Sequence, residues 1–246
     1  MSELLSVRDL HVSYGPVPVV RGVDLDVHEG EMVAIVGRNG AGKTTTLRCL
    51  AGLLAPLSGS IHFGGRDVTG LGCEQRVRIG ISLSPEGRGI PPGLTVRENL
   101  AVGAFTRKLG RQEIDAEIER VTAQFPRLRE RIHQRAGSLS GGEQQMLAVA
   151  RGLMAAPRIL IVDEPSLGLA PIVVEQLYEL FVSLRDEGMT LLLVEQYVEI
   201  VLAVADRAYV LDKGSVALSG SARELRESPE LVDTYLAGSA AGVLPV

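Results

Sequence analysis

The sequence predicts an α/β fold with a parallel-sheet core, an N-terminal antiparallel β layer and an inserted helical lobe. The core follows from three continuous apolar runs, MVAIV (32–36), RILIV (158–162) and TLLLV (190–194), because strands buried on both faces of a sheet are apolar throughout. The antiparallel layer follows from residues 23–27, where apolar and acidic side chains alternate. The lobe follows from residues 94–137, where apolar residues recur at helical spacing.

The helical lobe is predicted to begin at a capping box formed by Thr95 and Glu98. A second helix within it presents one apolar face, made of Ile114, Ile118, Val121 and Phe125. Because this block lies between two core strands, we predict a helical subdomain at about 94–155 inside a single domain that spans 1–246.

Three further segments complete the predicted elements. Residues 58–68 are expected to form one short strand, since turn residues flank them at both ends. A helix is expected over 171–187, with Pro171 in its first turn and Gly188 at its end. Its apolar stripe is predicted at Val173, Leu177, Leu180 and Leu184. Ser221 and Glu224 form a third capping box, which opens a predicted terminal helix pair.

A phosphate-binding loop lies between the first apolar run and a segment with helical character. The stretch GRNGAGKTT (37–45) fits the pattern G-x-x-x-x-G-K-[ST]. Backbone N–H groups at the start of a helix can surround one anion. Lys43 is expected to neutralise the β- and γ-phosphates, and the Thr44 hydroxyl to bind Mg²⁺. The sequence therefore predicts a P-loop (RecA-like) core that binds a nucleoside triphosphate through Gly37, Arg38, Asn39, Gly40, Ala41, Gly42, Lys43, Thr44 and Thr45.

Two carboxylates follow the second apolar run, in RILIVDEP (158–165). Asp163 at the carboxyl end of a buried strand would lie where Mg²⁺ on the phosphates lies in other P-loop ATPases. Glu164 points in a different direction and can polarise the attacking water as a general base. Asp-Glu pairs also commonly begin helices, but downstream of a phosphate-binding loop the functional interpretation is favoured.

The third motif is LSGGEQQ (139–145), in which Ser140 and Glu143 form a capping box at a helix start. Taken alone, this pattern indicates only a capped helix. Gly141 and Gly142 leave backbone N–H groups unobstructed at the positive end of that helix.

Composition excludes several other classes of function. The net charge is −5 and tryptophan is absent, which does not favour nucleic-acid binding. The two cysteines have no metal-ligand spacing, and the four histidines are scattered. No apolar stretch approaches the ~20 residues that span a bilayer, so we expect a chain that is soluble by itself.

Together, GRNGAGKT, LSGGE and the Asp-Glu strand resemble the ATP-binding-cassette (ABC) family, and the resemblance covers nearly the whole chain. It implies that Tyr14 stacks on adenine, and the less favoured alternative is that Tyr14 is only a residue at a strand end. It also implies that two subunits face each other head to tail. Ser140, Gly141, Gly142 and Glu143 of one subunit would then bind the γ-phosphate on the loop of the other, and SLGLA (166–170) would couple the two sites.

The chain departs from the general family pattern at two positions. Glu86 stands where many members have Gln near the Mg²⁺, and Gln196 stands where many have His. Glutamine can donate a hydrogen bond to a phosphate oxygen but cannot carry charge or exchange a proton. We hypothesise that the site hydrolyses ATP slowly but is not inactive, because Glu164 is present.

PEGR (85–88), LTVRENL (94–100) and LLVEQ (192–196) are similar to the smaller ATPase subunit of bacterial branched-chain amino-acid importers. The segment GIPPG (89–93) differs locally from that subfamily. The resemblance implies a second, related ATPase subunit or a homodimer, two transmembrane permease subunits and an extracytoplasmic binding protein. The chain would be a peripheral subunit on the cytoplasmic face of the inner membrane.

Three alternatives remain open at this point. A urea or short-chain amide importer has similar ATPase subunits, and Glu86 favours amino acids over it. An ABC ATPase acting on DNA or ribosomes is disfavoured by the single cassette and the lack of a basic patch. A P-loop kinase is disfavoured by LSGGE (139–143).

Overall fold

The continuous apolar runs form the centre of a six-stranded sheet. The computed structural model describes residues 2–228. In this part of the chain the sheet has the order β10-β9-β3-β8-β7-β6. Every pair in it is parallel except β9–β10. Its strands are β3 (Met32–Val36), β6 (Ile81–Ser84), β7 (Ile159–Asp163), β8 (Thr190–Glu195), β9 (Arg207–Asp212) and β10 (Ser215–Ser221).

The second sheet is antiparallel and has the order β2-β1-β4-β5. Its strands are β1 (Glu3–Tyr14), β2 (Val17–His28), β4 (Ser58–Phe63) and β5 (Arg66–Asp67). The prediction of a single strand over 58–68 was wrong. Gly64 and Gly65 both adopt positive φ, so the chain reverses there and forms a hairpin.

The parallel sheet is covered on both faces by apolar side chains. In β3, Met32 and Ala34 belong to one hydrophobic cluster, whereas Val33 and Ile35 belong to another. This period of two follows from the alternation of side chains along a strand. The second cluster also contains buried apolar residues of the antiparallel sheet, and Leu47, Cys49 and Leu50 of α1 (Lys43–Leu50). Helix α1 therefore packs in the same core that joins the two sheets.

The segment between β6 and β7 is helical. It contains α3 (Val96–Gly103), α4 (Arg111–Thr122), α5 (Pro126–Glu130) and α6 (Gly141–Leu153). Thr95 caps α3 and forms the predicted capping box with Glu98. The apolar face of these helices is in the same cluster as one face of the parallel sheet. We propose 94–155 as a helical lobe that shares its core with the sheet.

Four shorter or later helices complete the described chain: α2 (Cys73–Arg78), α7 (Pro171–Asp186), α8 (Val198–Leu202) and α9 (Ala222–Arg226). The predicted stripe of α7 was partly wrong, because Val173 and Leu180 are only half-buried. The buried face consists of Val174, Leu177, Tyr178, Phe181 and Leu184. Ser221 caps α9 as predicted; the second helix of the predicted terminal pair lies outside the described residues.

Arg76 of α2 is buried, with 1% of its surface exposed. Its guanidinium donates hydrogen bonds of 2.7–3.0 Å to the carbonyl oxygens of Cys49, Leu50, Val68, Thr69 and Leu71. Two of these carbonyls belong to the end of α1, where a helix has no internal donors. Burial lowers the pKa of Arg76 from its usual value. Arg76 therefore satisfies the carboxyl end of α1, the helix that begins at the phosphate-binding loop.

We expect Arg76→Met to lower the free energy of unfolding by at least about 3 kcal/mol, because several buried carbonyls lose their donors. Urea denaturation would show a lower midpoint with an unchanged slope. Arg78→Met is the matched control, since Arg78 is half-exposed and its ion pair is with Glu74 of the same helix. A midpoint for Arg76→Met equal to that of Arg78→Met would contradict the assigned role.

Candidate functional site

The phosphate-binding loop connects β3 to α1 and requires glycine at its two ends. A Cβ atom on Gly37 would lie 2.3 Å from the carbonyl oxygen of Leu211. Gly42 precedes α1 with φ +102°, and a Cβ there would lie 3.2 Å from the carbonyl oxygen of Val19. The loop is therefore held between β9 and the start of β2.

Lys43 is the first residue of α1, and only 4% of it is exposed. Its Nζ donates a hydrogen bond of 2.8 Å to the carbonyl oxygen of Gly37. The same ammonium lies 3.4 Å from Oε1 of Glu164. The lysine is thus folded back across the loop, and its charge stands between the loop and the end of β7.

Thr44 and Asp163 meet beside the loop, with Oγ1 of Thr44 3.5 Å from Oδ1 of Asp163. Burial, followed by the nearby carboxylates of Glu164 and Glu86, raises the pKa of Asp163 to about 6. The Thr44 hydroxyl and the Lys43 ammonium oppose that pKa shift. Three carboxylates in one place favour a cation there.

This donor set fits a magnesium ion that is shared with phosphate oxygens. Within residues 2–228, no group of three or more His, Cys, Asp or Glu side chains is arranged to hold a metal. Mg²⁺ in nucleotide sites is usually held by one or two protein groups, with the remaining ligands from phosphate and water. Thr44 and Asp163 supply such a pair.

Glu164 follows Asp163 immediately and has a left-handed backbone, with φ +46°. Its side chain is 11% exposed. Its backbone N–H donates a hydrogen bond of 2.9 Å to the carbonyl oxygen of Val194 in β8. Since a non-glycine residue rarely adopts this conformation, the turn after β7 needs support from neighbouring strands.

A cleft of about 360 Å³ opens above these residues. It brings together residues from five parts of the chain: Val19, Asn39, Gly40, Ala41, Gly42, Lys43, Thr44, Thr45, Glu86, Glu164, Leu167 and Gln196. Val19 was missed by sequence reasoning, because nothing in an exposed-strand pattern marks it as a neighbour of the loop. Gly37, Arg38 and Asp163 lie outside this lining, although Gly37 and Asp163 contact residues that belong to it.

Tyr14 lies at the end of the β1–β2 hairpin and is 46% exposed. It does not line the cleft. Its cross-strand partner is Val17, two residues before Val19, which does line it. Tyr14 is therefore close to the loop along the hairpin, with its ring available to solvent.

The signature segment, LSGGEQQ (139–145), forms the start of α6, and its residues do not line the cleft. Ser140 is the N-cap and completes the predicted capping box with Glu143. A Cβ on Gly142 would lie 2.5 Å from Cγ1 of Val173 in α7. A Cβ on Gly141 would lie 3.2 Å from the guanidinium of Arg88, so both glycines permit close packing at this end of the helix.

The loop that carries Glu86 is attached to the same helix. Arg88 donates a hydrogen bond of 3.1 Å to Oε1 of Gln144. Arg151, further along α6, donates to the carbonyl oxygens of Gly89 and Arg88 at 2.7 and 3.0 Å. The loop after β6 therefore links the cleft to the helical lobe.

Among residues 2–228, no helix is both long and apolar enough to cross a membrane.

The fold and the glycine-lysine loop define a P-loop nucleotide-binding protein. A family model described as ABC transporter matches residues 20–167. The chain belongs to the ABC transporter family of ATP-binding subunits, as its sequence motifs predicted.

Individual relatives agree with this assignment. The chain is 43% identical to the high-affinity branched-chain amino acid transport ATP-binding protein BraG of Pseudomonas aeruginosa, over 96% of this chain and 100% of BraG. It is 37% identical to the probable branched-chain amino acid transport ATP-binding protein LivF of Archaeoglobus fulgidus, over 91% of this chain and 94% of LivF. A crystal structure of a nucleotide-free ATP-binding cassette from an ABC transporter superposes with a TM-score of 0.85 at 25% identity, covering 95% of this chain and 99% of the cassette.

Proposed function

We propose that this chain is the ATP-hydrolysing subunit that energises import of leucine, isoleucine and valine through an ABC transporter. The proposed substrate rests on the 43% identity to BraG, which extends over the full length of that relative. The cleft supports the chemistry, because the buried Lys43, the Thr44 hydroxyl and Glu164 line it together, and Asp163 contacts Thr44 beside it.

The phosphates of ATP would lie on the loop, with backbone N–H groups and Lys43 around their oxygens. Thr44, Asp163 and Glu86 would hold Mg²⁺, and the bound cation would neutralise charge on the β- and γ-phosphates. Glu164 accepts the proton of a water whose oxygen attacks the γ-phosphorus. The bond from that phosphorus to the bridging oxygen breaks, and ADP leaves with the electron pair.

Gln196 is proposed as the neutral replacement for the histidine that many members of the family have at this position. It lines the cleft together with Glu164, and its carboxamide can donate one hydrogen bond to the γ-phosphate. This interaction orients the phosphate but supplies no positive charge to the transition state. We therefore propose a slow site.

We expect Gln196→His to raise the steady-state ATPase rate of the assembled transporter by roughly 3- to 30-fold, because an imidazolium donor forms a stronger, charge-assisted hydrogen bond. The rate should be measured with the partner subunits present and at fixed pH. Gln176→His is the matched control, since Gln176 is exposed on α7. An unchanged or lower rate for Gln196→His would contradict the slow-site hypothesis.

The remaining proposed contacts with ATP require a dimer of ATPase subunits. Ser140, Gly141, Gly142 and Glu143 of a facing ATPase subunit would complete the site, and Tyr14 would stack on adenine. The facing subunit is a second copy or a related chain. Two transmembrane permeases and an extracytoplasmic binding protein complete the proposed assembly, with this chain peripheral on the cytoplasmic face of the inner membrane.

The substrate is tested by deleting the gene and measuring uptake of labelled leucine and labelled urea, with wild type or Lys43→Ala restored. Loss of leucine uptake that only wild type rescues is expected. Loss of urea uptake alone would leave the proposed ATPase mechanism unchanged, but would show that the transporter imports urea or a short-chain amide. If uptake of both compounds were unchanged, the chain would serve neither importer.

A further inference from the structure

Glu195 is a buried carboxylate that the proposed chemistry does not use. It ends β8, next to Gln196, and 1% of its surface is exposed. Among the residues that the structure describes, no cationic side chain forms an ion pair with it. A carboxylate in such a place must be stabilised by hydrogen bonds instead.

Three donors surround this carboxylate, one each from the loop after β7, from α7 and from the residue that follows β8. Oε1 accepts from the backbone N–H of Ser166 at 3.0 Å and from the hydroxyl of Tyr178 at 2.8 Å. Oε2 accepts from the backbone N–H of Gln196 at 3.2 Å. Burial raises the pKa of Glu195, whereas these donors lower it. The carboxylate thus joins the end of β8, the loop after β7 and helix α7.

The hydrogen bond between Glu195 and the backbone of Ser166 lies next to a turn with an unfavourable backbone conformation. Ser166 is two residues beyond Glu164, whose φ is +46°. On its other side, Glu164 is held by the hydrogen bond from its own N–H to Val194. The left-handed turn is therefore fixed at both ends by two successive residues of β8, Val194 and Glu195. Such a conformation persists only when its surroundings determine it.

We infer that Glu195 is a positioning residue, itself held by the hydrogen bond from Tyr178. It keeps the Glu164 turn in the geometry needed to direct water at the γ-phosphate. This inference rests on the proposed role of Glu164. Tyr178 fixes the Glu195 carboxylate from α7, the helix that follows the SLGLA segment (166–170). A displacement of α7 would therefore reach the Glu164 turn through two side chains, Tyr178 and Glu195.

The test compares Tyr178→Phe, Glu195→Ala and Glu195→Gln in the full chain, with the rates measured in the presence of the partner subunits. Tyr178→Phe removes one hydroxyl and is expected to lower the single-turnover ATPase rate about 3- to 10-fold. Glu195→Ala is expected to lower it about 10- to 100-fold, since a displacement near 1 Å can have an effect of that size. Glu195→Gln keeps the acceptor for Ser166 and Tyr178 and should recover most of the loss. The Kd for ATP should stay within about 2-fold of wild type, because none of these residues contacts the loop.

Two further measurements separate positioning from stability. Amide hydrogen exchange in the nucleotide-free protein should be faster for residues 164–170 in Tyr178→Phe and Glu195→Ala. The control is Tyr209→Phe, because Tyr209 is also buried and its hydroxyl bonds the backbone of Asp26 in another sheet. That variant should lose stability without a change in single-turnover rate at 25 °C.

The inference is overturned if Tyr178→Phe turns over and exchanges like wild type. Additive rate losses in the Tyr178→Phe, Glu195→Ala double variant would also overturn it, since Tyr178 is argued to act through Glu195. If Glu195→Ala does not fold, Tyr178→Phe and Glu195→Gln decide the question. A wild-type rate in Glu164→Gln would instead refute the proposed base, while the exchange of residues 164–170 would still report on the turn.

Discussion

Replacing Glu164 with glutamine is expected to lower the single-turnover rate of ATP hydrolysis by at least about 100-fold, because a positioned general base contributes roughly 10²- to 10⁴-fold. Glutamine has the same shape and tolerates the same backbone, but its carboxamide cannot accept the proton of the attacking water. The fold should be unaffected, since the turn is held by backbone hydrogen bonds from Glu164 and Ser166.

The same substitution should leave ATP affinity unchanged or raise it. In the nucleotide-free protein Glu164 lies 3.4 Å from the Lys43 ammonium, so its charge competes with phosphate for that cation. Removing the charge also reduces repulsion between the cleft and ATP. Affinity should be measured by calorimetry and hydrolysis by rapid quench. Glu179→Gln is the matched control, because Glu179 is exposed on α7; a Glu164→Gln enzyme that hydrolyses ATP at the control's rate would remove Glu164 as the base.

Removing the Lys43 charge is expected to weaken ATP binding by about 10- to 150-fold. This range corresponds to roughly 1.5–3 kcal/mol for a lost charge-assisted hydrogen bond. The loss should lie toward the upper end, because Lys43 is buried, pairs with Glu164 and opposes the negative charge of Asp163. Without it, three carboxylates face the phosphates with less compensation.

Two variants distinguish charge from packing at this position. Lys43→Ala removes both the ammonium and the buried stem, whereas Lys43→Met keeps most of the volume and removes only the charge. Both should lose ATP affinity and transport, and Lys43→Met should retain the wild-type melting temperature more closely. Lys108→Ala removes the same charge from an exposed position in the helical lobe and should bind ATP normally. Wild-type affinity in Lys43→Met would show that the lysine does not contact phosphate.

The features that the sequence predicted correctly are those determined by neighbouring residues. The loop requires Gly42, Lys43 and Thr44 in succession between a strand and a helix, and the structure has β3 before it and α1 after it. A capping box joins residues three apart, which explains why those at Thr95 and Ser140 were predictable. The family assignment rests on such local motifs, and the comparisons confirm it.

Predictions made from local patterns failed where the patterns were ambiguous. The segment 58–68 contains two glycines in its middle, and only the structure shows that the chain reverses at them. In α7, Val173 and Leu180 have the correct spacing for a buried face. They are half-buried because the parallel sheet packs against a face centred on Leu177 and Phe181.

The composition of the cleft was decided by the order of strands in the sheet. Because β8 lies between β3 and β7, Glu195 reaches Ser166, and Gln196 lines the same cleft as Lys43. Arg76 is buried for a similar reason, since α2 meets the end of α1 only in the folded chain. The sequence alone thus determined that this protein has a phosphate loop, an Asp-Glu strand end and a capped signature helix. Which distant residues support them was determined by tertiary structure, because periodicity specifies which face of a strand is buried but not which strand lies beside it.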